Sequence, residues 1–159
     1  MWELLHAPHL RAYQDIPRIS FDAYCERVAT RPGACVRGAV GRYEWLLRSA
    51  DYPDPIGWVS LRTNTQNPYC GELGYSILRE YRSQGYATEA VSALIAAAFS
   101  AGLIDKVVGY CLPENRASRK VLTRAGLLEL RRVRRGAMVH GRPVDLVFYE
   151  LDQIAWRRR

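Results

Sequence analysis

The sequence predicts an α/β domain: a mixed, mostly antiparallel sheet with helices packed on it and one parallel strand–helix–strand unit. Three observations carry that expectation. Residues 71–112 read as strand, amphipathic helix and strand, a crossover that places its two strands side by side and parallel. Two strand-like runs flank a proline-containing turn before it, and two more are joined through glycines after it, which favours antiparallel pairing there. At 159 residues, with 48% hydrophobic and 25% charged residues, the chain suits a single domain, 1–159, with a real core.

Taken in order, Ser20 or Asp22 is a cap for a short helix running through Tyr24 and Val28 to Thr30, ended by Arg31-Pro32-Gly33. Residues 43–48 and 56–62 form a strand pair around Asp51-Tyr52-Pro53-Asp54-Pro55. Residues 71–78 form a third strand, in which Gly74 signals a bulge or a close backbone approach. Val91, Leu94, Ile95, Ala98 and Phe99 then fall on one helical stripe, closed by Gly102. Residues 106–112 are a short strand stopped by Pro113. Asn115 caps a second helix with the stripe Ala117, Val121, Leu122 and Ala125 and with Gly126 at its end. Residues 127–134 and 144–151 are the last strands, joined through Gly136 and Gly141-Arg142-Pro143.

Several function classes are excluded. The longest mostly apolar run, residues 90–99, is too short to span a bilayer. Residues 1–6 lack the basic-then-apolar order of a secretory signal, so a cytoplasmic location is expected. Cys25, Cys35, Cys70 and Cys111 lie far apart with no CxxC spacing; they read as small buried hydrophobes, and no metal is expected. The net charge of +7 points to anionic partners without identifying them.

The segment most suggestive of chemistry is Arg82-Ser83-Gln84-Gly85-Tyr86-Ala87-Thr88, between the third strand and the amphipathic helix. A phosphate there would meet unpaired backbone N–H groups and the positive end of the helix dipole. Gly85 admits close approach and positive φ, Arg82 adds charge and Thr88 a hydroxyl. Taken alone, these residues equally describe an ordinary strand-to-helix turn.

The surroundings extend the reading. Residues 80–90, Glu-Tyr-Arg-Ser-Gln-Gly-Tyr-Ala-Thr-Glu-Ala, resemble the pyrophosphate loop of the GNAT N-acetyltransferase superfamily. Glu114-Asn115-Arg116-Ala117-Ser118, followed by Arg124-Ala125-Gly126, resembles its second cofactor motif, N-x-x-S. Gly71-Glu72-Leu73-Gly74-Tyr75 is similar to the fourth strand of that fold. The resemblance covers residues 56–151 and is strongest to the ribosomal-protein alanine N-acetyltransferase branch. His9-Leu10-Arg11-Ala12-Tyr13 is at best a degraded echo of the strand that usually opens that branch.

The resemblance implies acetyl-coenzyme A as cosubstrate and direct attack by an amine on the thioester. An amine must be neutral to attack, and a lysine has a reference pKa of about 10.4 and an α-amino group about 8, so a proton acceptor is needed. Glu72 is the candidate, the alternative being a solvent-facing or ion-paired strand residue. Glu114 and Glu89 are poorer candidates. The thioester carbonyl is expected to meet a backbone donor around Ile77 and Leu78. Leu122 stands where some relatives carry a tyrosine, which leaves Ser118 to bond the sulfur unless it serves only as a helix-capping hydroxyl. Asn115 is both an N-cap and an expected ligand to the pantetheine arm, and Arg119 and Lys120 are expected to reach the adenosine phosphates. Tyr149 reads as a core residue or as part of a substrate groove.

Arg131-Arg132-Val133-Arg134-Arg135 and Trp156-Arg157-Arg158-Arg159 suit either a ribosomal or acidic-peptide partner or a charge-protected strand edge and a solvated terminus. The expected acceptor is an amine on a protein N-terminus, a lysine or a small molecule, and a homodimer is compatible with the sequence. Two other classes remain: a coenzyme A-binding regulator without turnover, and a basic nucleic-acid- or ribosome-binding domain. The charge disfavours a polycationic acceptor.

Overall fold

The computed structural model describes residues 20–30 and 33–159, so the readings at residues 9–13 and at Arg31-Pro32 lie outside the described residues. The elements are α1 (Phe21–Ala29), β1 (Gly41–Leu47), β2 (Gly57–Thr63), β3 (Cys70–Ile77), α2 (Tyr86–Ser100), β4 (Lys106–Cys111), α3 (Arg116–Arg124), β5 (Leu128–Val139), β6 (Arg142–Asp152) and α4 (Gln153–Arg157). A single 3-10 turn, Arg79–Tyr81, leads from β3 toward α2. The six strands form one sheet in the order β1-β2-β3-β4-β6-β5. Every pairing is antiparallel except β3 with β4, as the crossover predicts.

The helix ends follow their chemistry. Ser20 accepts from the Ala23 amide at 3.2 Å and starts α1. At the end of α2 the Gly102 N–H returns to Phe99 O and the Leu103 N–H to Ala98 O, with Gly102 at φ 64. Gly126 and Leu127 close α3 the same way, with Gly126 at φ 97, so both glycines fill the left-handed position of a Schellman motif.

One face of the sheet carries the core. Val59, Leu61, Leu73, Val107, Val147, Tyr149 and Leu151 pack there against Val91, Ile95, Ala98 and Phe99 of α2 and Leu122 of α3. A Cβ on Gly109 would stand 2.6 Å from a Leu122 methyl, so glycine is what lets α3 settle on β4. Gly74 is a close approach and not a bulge: β2 and β3 pair without a register shift, and a Cβ there would meet Ser60 Oγ at 2.6 Å.

Two expectations are corrected and one unexpected element is added. Gly136 does not join the last strands; β5 runs through it to Val139, and the connection is His140-Gly141. Residues 153–157 form α4, too short to show a period, whose Trp156 ring lies 5.6 Å from that of Phe99. Of the four free cysteines only Cys111 is buried, which pushes its thiol up to about 11; Cys25 is exposed. No helix among the described residues is long and apolar enough to cross a membrane.

Candidate functional site

β3 and β4 pair only at Cys70↔Lys106, Gly71↔Val107 and Glu72↔Val108; beyond these they splay apart, β3 staying with β2 and β4 with β6. Strand alternation sorts the exposed groups at this gap. The Leu78 N–H donates to Ile56 O at 2.9 Å, on the β2 side. The alternate residues, Ile77 and Tyr75, therefore turn their N–H groups toward the gap. Of the two expected carbonyl-binding residues, Ile77 has the free donor direction and Leu78 does not.

The loop after β3 is shaped by two left-handed residues, Ser83 at φ 65 and Gly85 at φ 93. Ser83 is a non-glycine residue in that region, a strained conformation costing about 1–2 kcal/mol. Gly85 is the N-cap of α2 and offers no capping side chain, so the N–H groups of the first turn have no partner within the helix. Nothing lies within 4 Å of the space a Cβ on Gly85 would occupy. Arg82 Nε donates to Ile77 O at 3.1 Å and ties the loop to the end of β3. The result is a set of backbone donors at the positive end of a 15-residue helix, opening on free space, which is the makings of an anion cradle.

A cleft of about 630 Å³ begins at this loop. Its walls are Tyr75, Ser76 and Ile77 of β3, Tyr81, Arg82, Ser83 and Gly85, Tyr86–Thr88 of α2, and Glu114 to Ser118, Lys120, Val121 and Arg124 on and before α3. Tyr75 and Ile77 belong to the helix-covered face of the sheet, and Ser76 between them also borders the cleft where the strands splay. Asn115 Oδ1 accepts from the Ser118 N–H at 3.1 Å, the N-cap expected of it, and the Tyr75 hydroxyl donates to Ser118 O at 3.2 Å. That bond ties β3 to α3 across the cleft, and burial raises the Tyr75 hydroxyl so that it stays a donor.

Of the expected site residues, Ile77, Arg82, Ser83, Gly85, Tyr86, Ala87, Thr88, Asn115 and Ser118 come together on this cleft. Gln84 is exposed and outside its wall. Arg119 is turned away: Nε donates to the Tyr149 hydroxyl at 3.2 Å and Nη2 to Glu129 at 3.1 Å. Its guanidinium is raised by the Tyr149 bond first and the Glu129 bond second. The cations on the wall are instead Arg116, Lys120 and Arg124, spaced i, i+4 and i+8 on one face of α3. That period was present in the sequence. Tyr75, Ser76 and Tyr81 carried no signal of their own. Tyr149 is 1% exposed and belongs to the core.

Glu72 lies on the other face of the sheet, away from the cleft wall. One carboxylate oxygen pairs with Arg62 Nη2 and the other accepts the Tyr110 hydroxyl at 2.7 Å. Burial and then the Glu72 bond push Tyr110 up to about 12. The Tyr110 ring packs 5.7 Å from that of Phe148, over which Arg131 sits at 5.5 Å. A cleft with an anion cradle thus opens at one end of a strand gap, and an anchored carboxylate faces the other side of the same sheet.

Residues 3–128 match the family model described as an acetyltransferase (GNAT) domain. A curated relative named "Putative ribosomal N-acetyltransferase YdaF", from Bacillus subtilis (strain 168), is 35% identical over 100 residues, 63% of this chain and 55% of the relative. The chain therefore spans little more than half that relative's length. The crystal structure of an acetyltransferase (GNAT family) from Bacillus anthracis superposes with a TM-score of 0.78 at 16% identity, covering 96% of this chain and 86% of the other. The Microcin C7 self immunity acetyltransferase MccE, solved in complex with acetyl-CoA and AMP, superposes with a TM-score of 0.65 at 20% identity, covering 70% of this chain and 61% of that one. These two likenesses establish a common fold. The family match extends over most of the sequence, from before α1 to the start of β5, and the chain belongs to the GNAT acetyltransferase domain family.

Proposed function

We propose that the chain transfers an acetyl group from acetyl-coenzyme A to a primary amine, on a protein N-terminus, a lysine or a small molecule, by direct attack in a ternary complex. The observation that carries this reading is the start of α2, where uncapped N–H groups, a doubly left-handed loop and open space over Gly85 face one cleft. Acetyl-coenzyme A supplies an acyl group already activated as a thioester. The residues fit such a ligand. The amides of Tyr86 to Thr88 receive pyrophosphate charge, and Arg116, Lys120 and Arg124 meet the remaining phosphate. The passage between β3 and α3, beside Asn115, suits an extended pantetheine arm. The Ile77 N–H, facing the splay, polarises the carbonyl oxygen.

The amine enters from the Glu72 side. Its nitrogen bonds to the acetyl carbon as the carbon–sulfur bond breaks. One amine proton leaves toward Glu72 through water; the Ser118 hydroxyl donates a hydrogen bond to the departing thiolate, which takes its proton from solvent, so nitrogen loses one proton and sulfur gains one. Arg62 and Tyr110 hold Glu72 by its two oxygens, so they position it without touching the acceptor.

Calorimetry with coenzyme A and thiol release with an amine panel test this together. The wild type binds coenzyme A, and Gly85→Glu, which sets a carboxylate against the pyrophosphate, weakens binding about hundredfold, roughly 2.7 kcal/mol. Failure of the wild type to bind coenzyme A sinks the reading. Binding without thiol release from any amine identifies a regulator without turnover. Salt-sensitive RNA binding that survives Gly85→Glu, with no affinity for coenzyme A, identifies a nucleic-acid-binding domain.

A further inference from the structure

The β5–β6 hairpin outruns the sheet it belongs to. β4 follows β6 only to Cys111↔Val147, while β5 and β6 go on pairing to Val139↔Arg142. Residues 133–146 are thus a two-stranded arm, closed by His140 and Gly141 at φ 50 and 73, the left-handed pair of a primed hairpin turn. Because β6 is antiparallel to β4, the arm projects past the C-terminal ends of β4 and its parallel neighbour β3. Those are the ends at which the strands splay and the cleft opens.

The arm is charged with one sign. Arg134, Arg135 and Arg142 on the arm, with Arg131 and Arg132 at its base, are set against a single carboxylate, Asp145, within residues 131–146. Asp145 is occupied by backbone: its Oδ1 accepts the Arg135 N–H at 3.0 Å. Among the described residues Arg134, Arg135 and Arg142 form no ion pair. Between Val133↔Leu146 and Ala137↔Val144, the three residues Arg134, Arg135 and Gly136 oppose Asp145 alone. Arg135 takes φ 51 at this bulge, a conformation that costs a non-glycine residue about 1–2 kcal/mol. Bulges re-aim side chains, and here the two re-aimed side chains are unpaired guanidinium groups. Protection of a strand edge requires charge but not a single sign, and like charges so close repel one another without a partner. At the base of the arm, Arg131 over Phe148 continues through Tyr110 to Glu72.

We infer that this arm selects the acceptor by charge and binds an acidic polypeptide segment, so that the acetylated amine belongs to a chain carrying Asp or Glu a few residues from it. The inference rests on the acetyl-transfer reading above. Guanidinium groups take carboxylates in bidentate pairs, whereas a polycation would bring repulsion to the same strand ends. At roughly 3.3 Å per extended residue, the arm matches acidic side chains within about three to eight residues of the amine.

The test uses the whole chain with saturating acetyl-coenzyme A and ten-residue peptides that share their N-terminal residues and differ only in an acidic, neutral or basic remainder, with spermidine as the polycation. Thiol release gives KM and kcat, and fluorescence anisotropy gives binding. The acidic peptide is expected to have the lowest KM. Arg134→Glu with Arg135→Glu is expected to raise that KM about tenfold with kcat unchanged, to leave the neutral peptide unaffected, and to leave coenzyme A affinity and melting temperature in place as proof of folding. Turnover indifferent to peptide charge, or preference for the basic peptide or spermidine, overturns the inference while leaving acetyl transfer intact. Charge-selective peptide binding without thiol release supports the arm and overturns the acetyl-transfer reading instead. A single-stranded RNA that displaces the acidic peptide and is itself lost with the charge reversal overturns the inference in favour of nucleic acid.

Discussion

On the helix-covered face of the sheet, residues meet at helical spacing and disappear from solvent: Val91, Ile95, Ala98 and Phe99 of α2 and Leu122 of α3 are each no more than 2% exposed. On the opposite face, contact runs from strand to strand through partly exposed charged and aromatic pairs, Arg62 with Glu72, Lys106 with Glu150, Tyr110 with Phe148. The first face owes its stability to apolar burial, about 1.5–3 kcal/mol per large side chain. The second gains little from its ion pairs, about 0–1 kcal/mol each, but fixes where charges stand. On the acetyl-transfer reading proposed above, a sheet divided in this way keeps the donor cleft on its packed face and leaves specificity to the acceptor side.

The largest effect that tests this division is a pair of substitutions across it. Phe99→Ala removes a fully buried ring that meets Trp156 at a tilt and is expected to cost about 3–5 kcal/mol in urea unfolding. Glu72→Gln is expected to change stability by less than about 1 kcal/mol yet lower kcat about hundredfold, with coenzyme A affinity unchanged. Comparable losses of stability in both variants would erase the distinction between the faces.

The same division explains what was legible in the sequence. Apolar stripes and glycine caps carry a period, so α2, α3 and the crossover are plain from Val91 through Gly126. Site residues depended on phase, which is finer. One helical step separates Arg119, turned to Glu129 and Tyr149, from Lys120 on the cleft wall. One strand step separates the Ile77 amide, facing the gap, from the Leu78 amide, spent on Ile56. The arm was missed because Leu128 to Val139 is exposed over most of its length, so no inside–outside alternation marks where the strand stops. Packing, which decides each of these, is not local.

Helix phase yields the next prediction. Lys120→Gln with Arg124→Gln takes two cations from the cleft wall and is expected to raise the Kd for coenzyme A about tenfold, roughly 1.4 kcal/mol, with an effect that shrinks as salt rises. Arg119→Gln, one step round the helix, is expected to leave that Kd within about twofold. Its cost appears in stability, because it abandons the Tyr149 hydroxyl and Glu129. Calorimetry at two salt concentrations separates the outcomes, and equal effects on Kd would place Arg119 back among the phosphate ligands.

The smallest effect concerns Tyr110 on the strand-to-strand face. Its hydroxyl, pushed up to about 12, stays protonated in the fold at pH values where an unfolded tyrosine, near 10, has ionised. Unfolding then releases a proton, so the contribution is fully present below about pH 10 and is lost as pH rises through about 12. Tyr110→Phe removes this one titration, so between pH 10 and 12 the variant should lose stability less steeply than the wild type, whereas at pH 7 the two differ only by the bond to Glu72. The difference is modest, since the residue as a whole is 42% exposed, and the other tyrosines ionise in both proteins and cancel. Urea unfolding at pH 7, 10 and 11.5 measures it. Parallel curves for the two proteins would mean that the Tyr110 hydroxyl is not held against Glu72, and the chain of contacts from Glu72 to Arg131 at the base of the arm would lose its middle link.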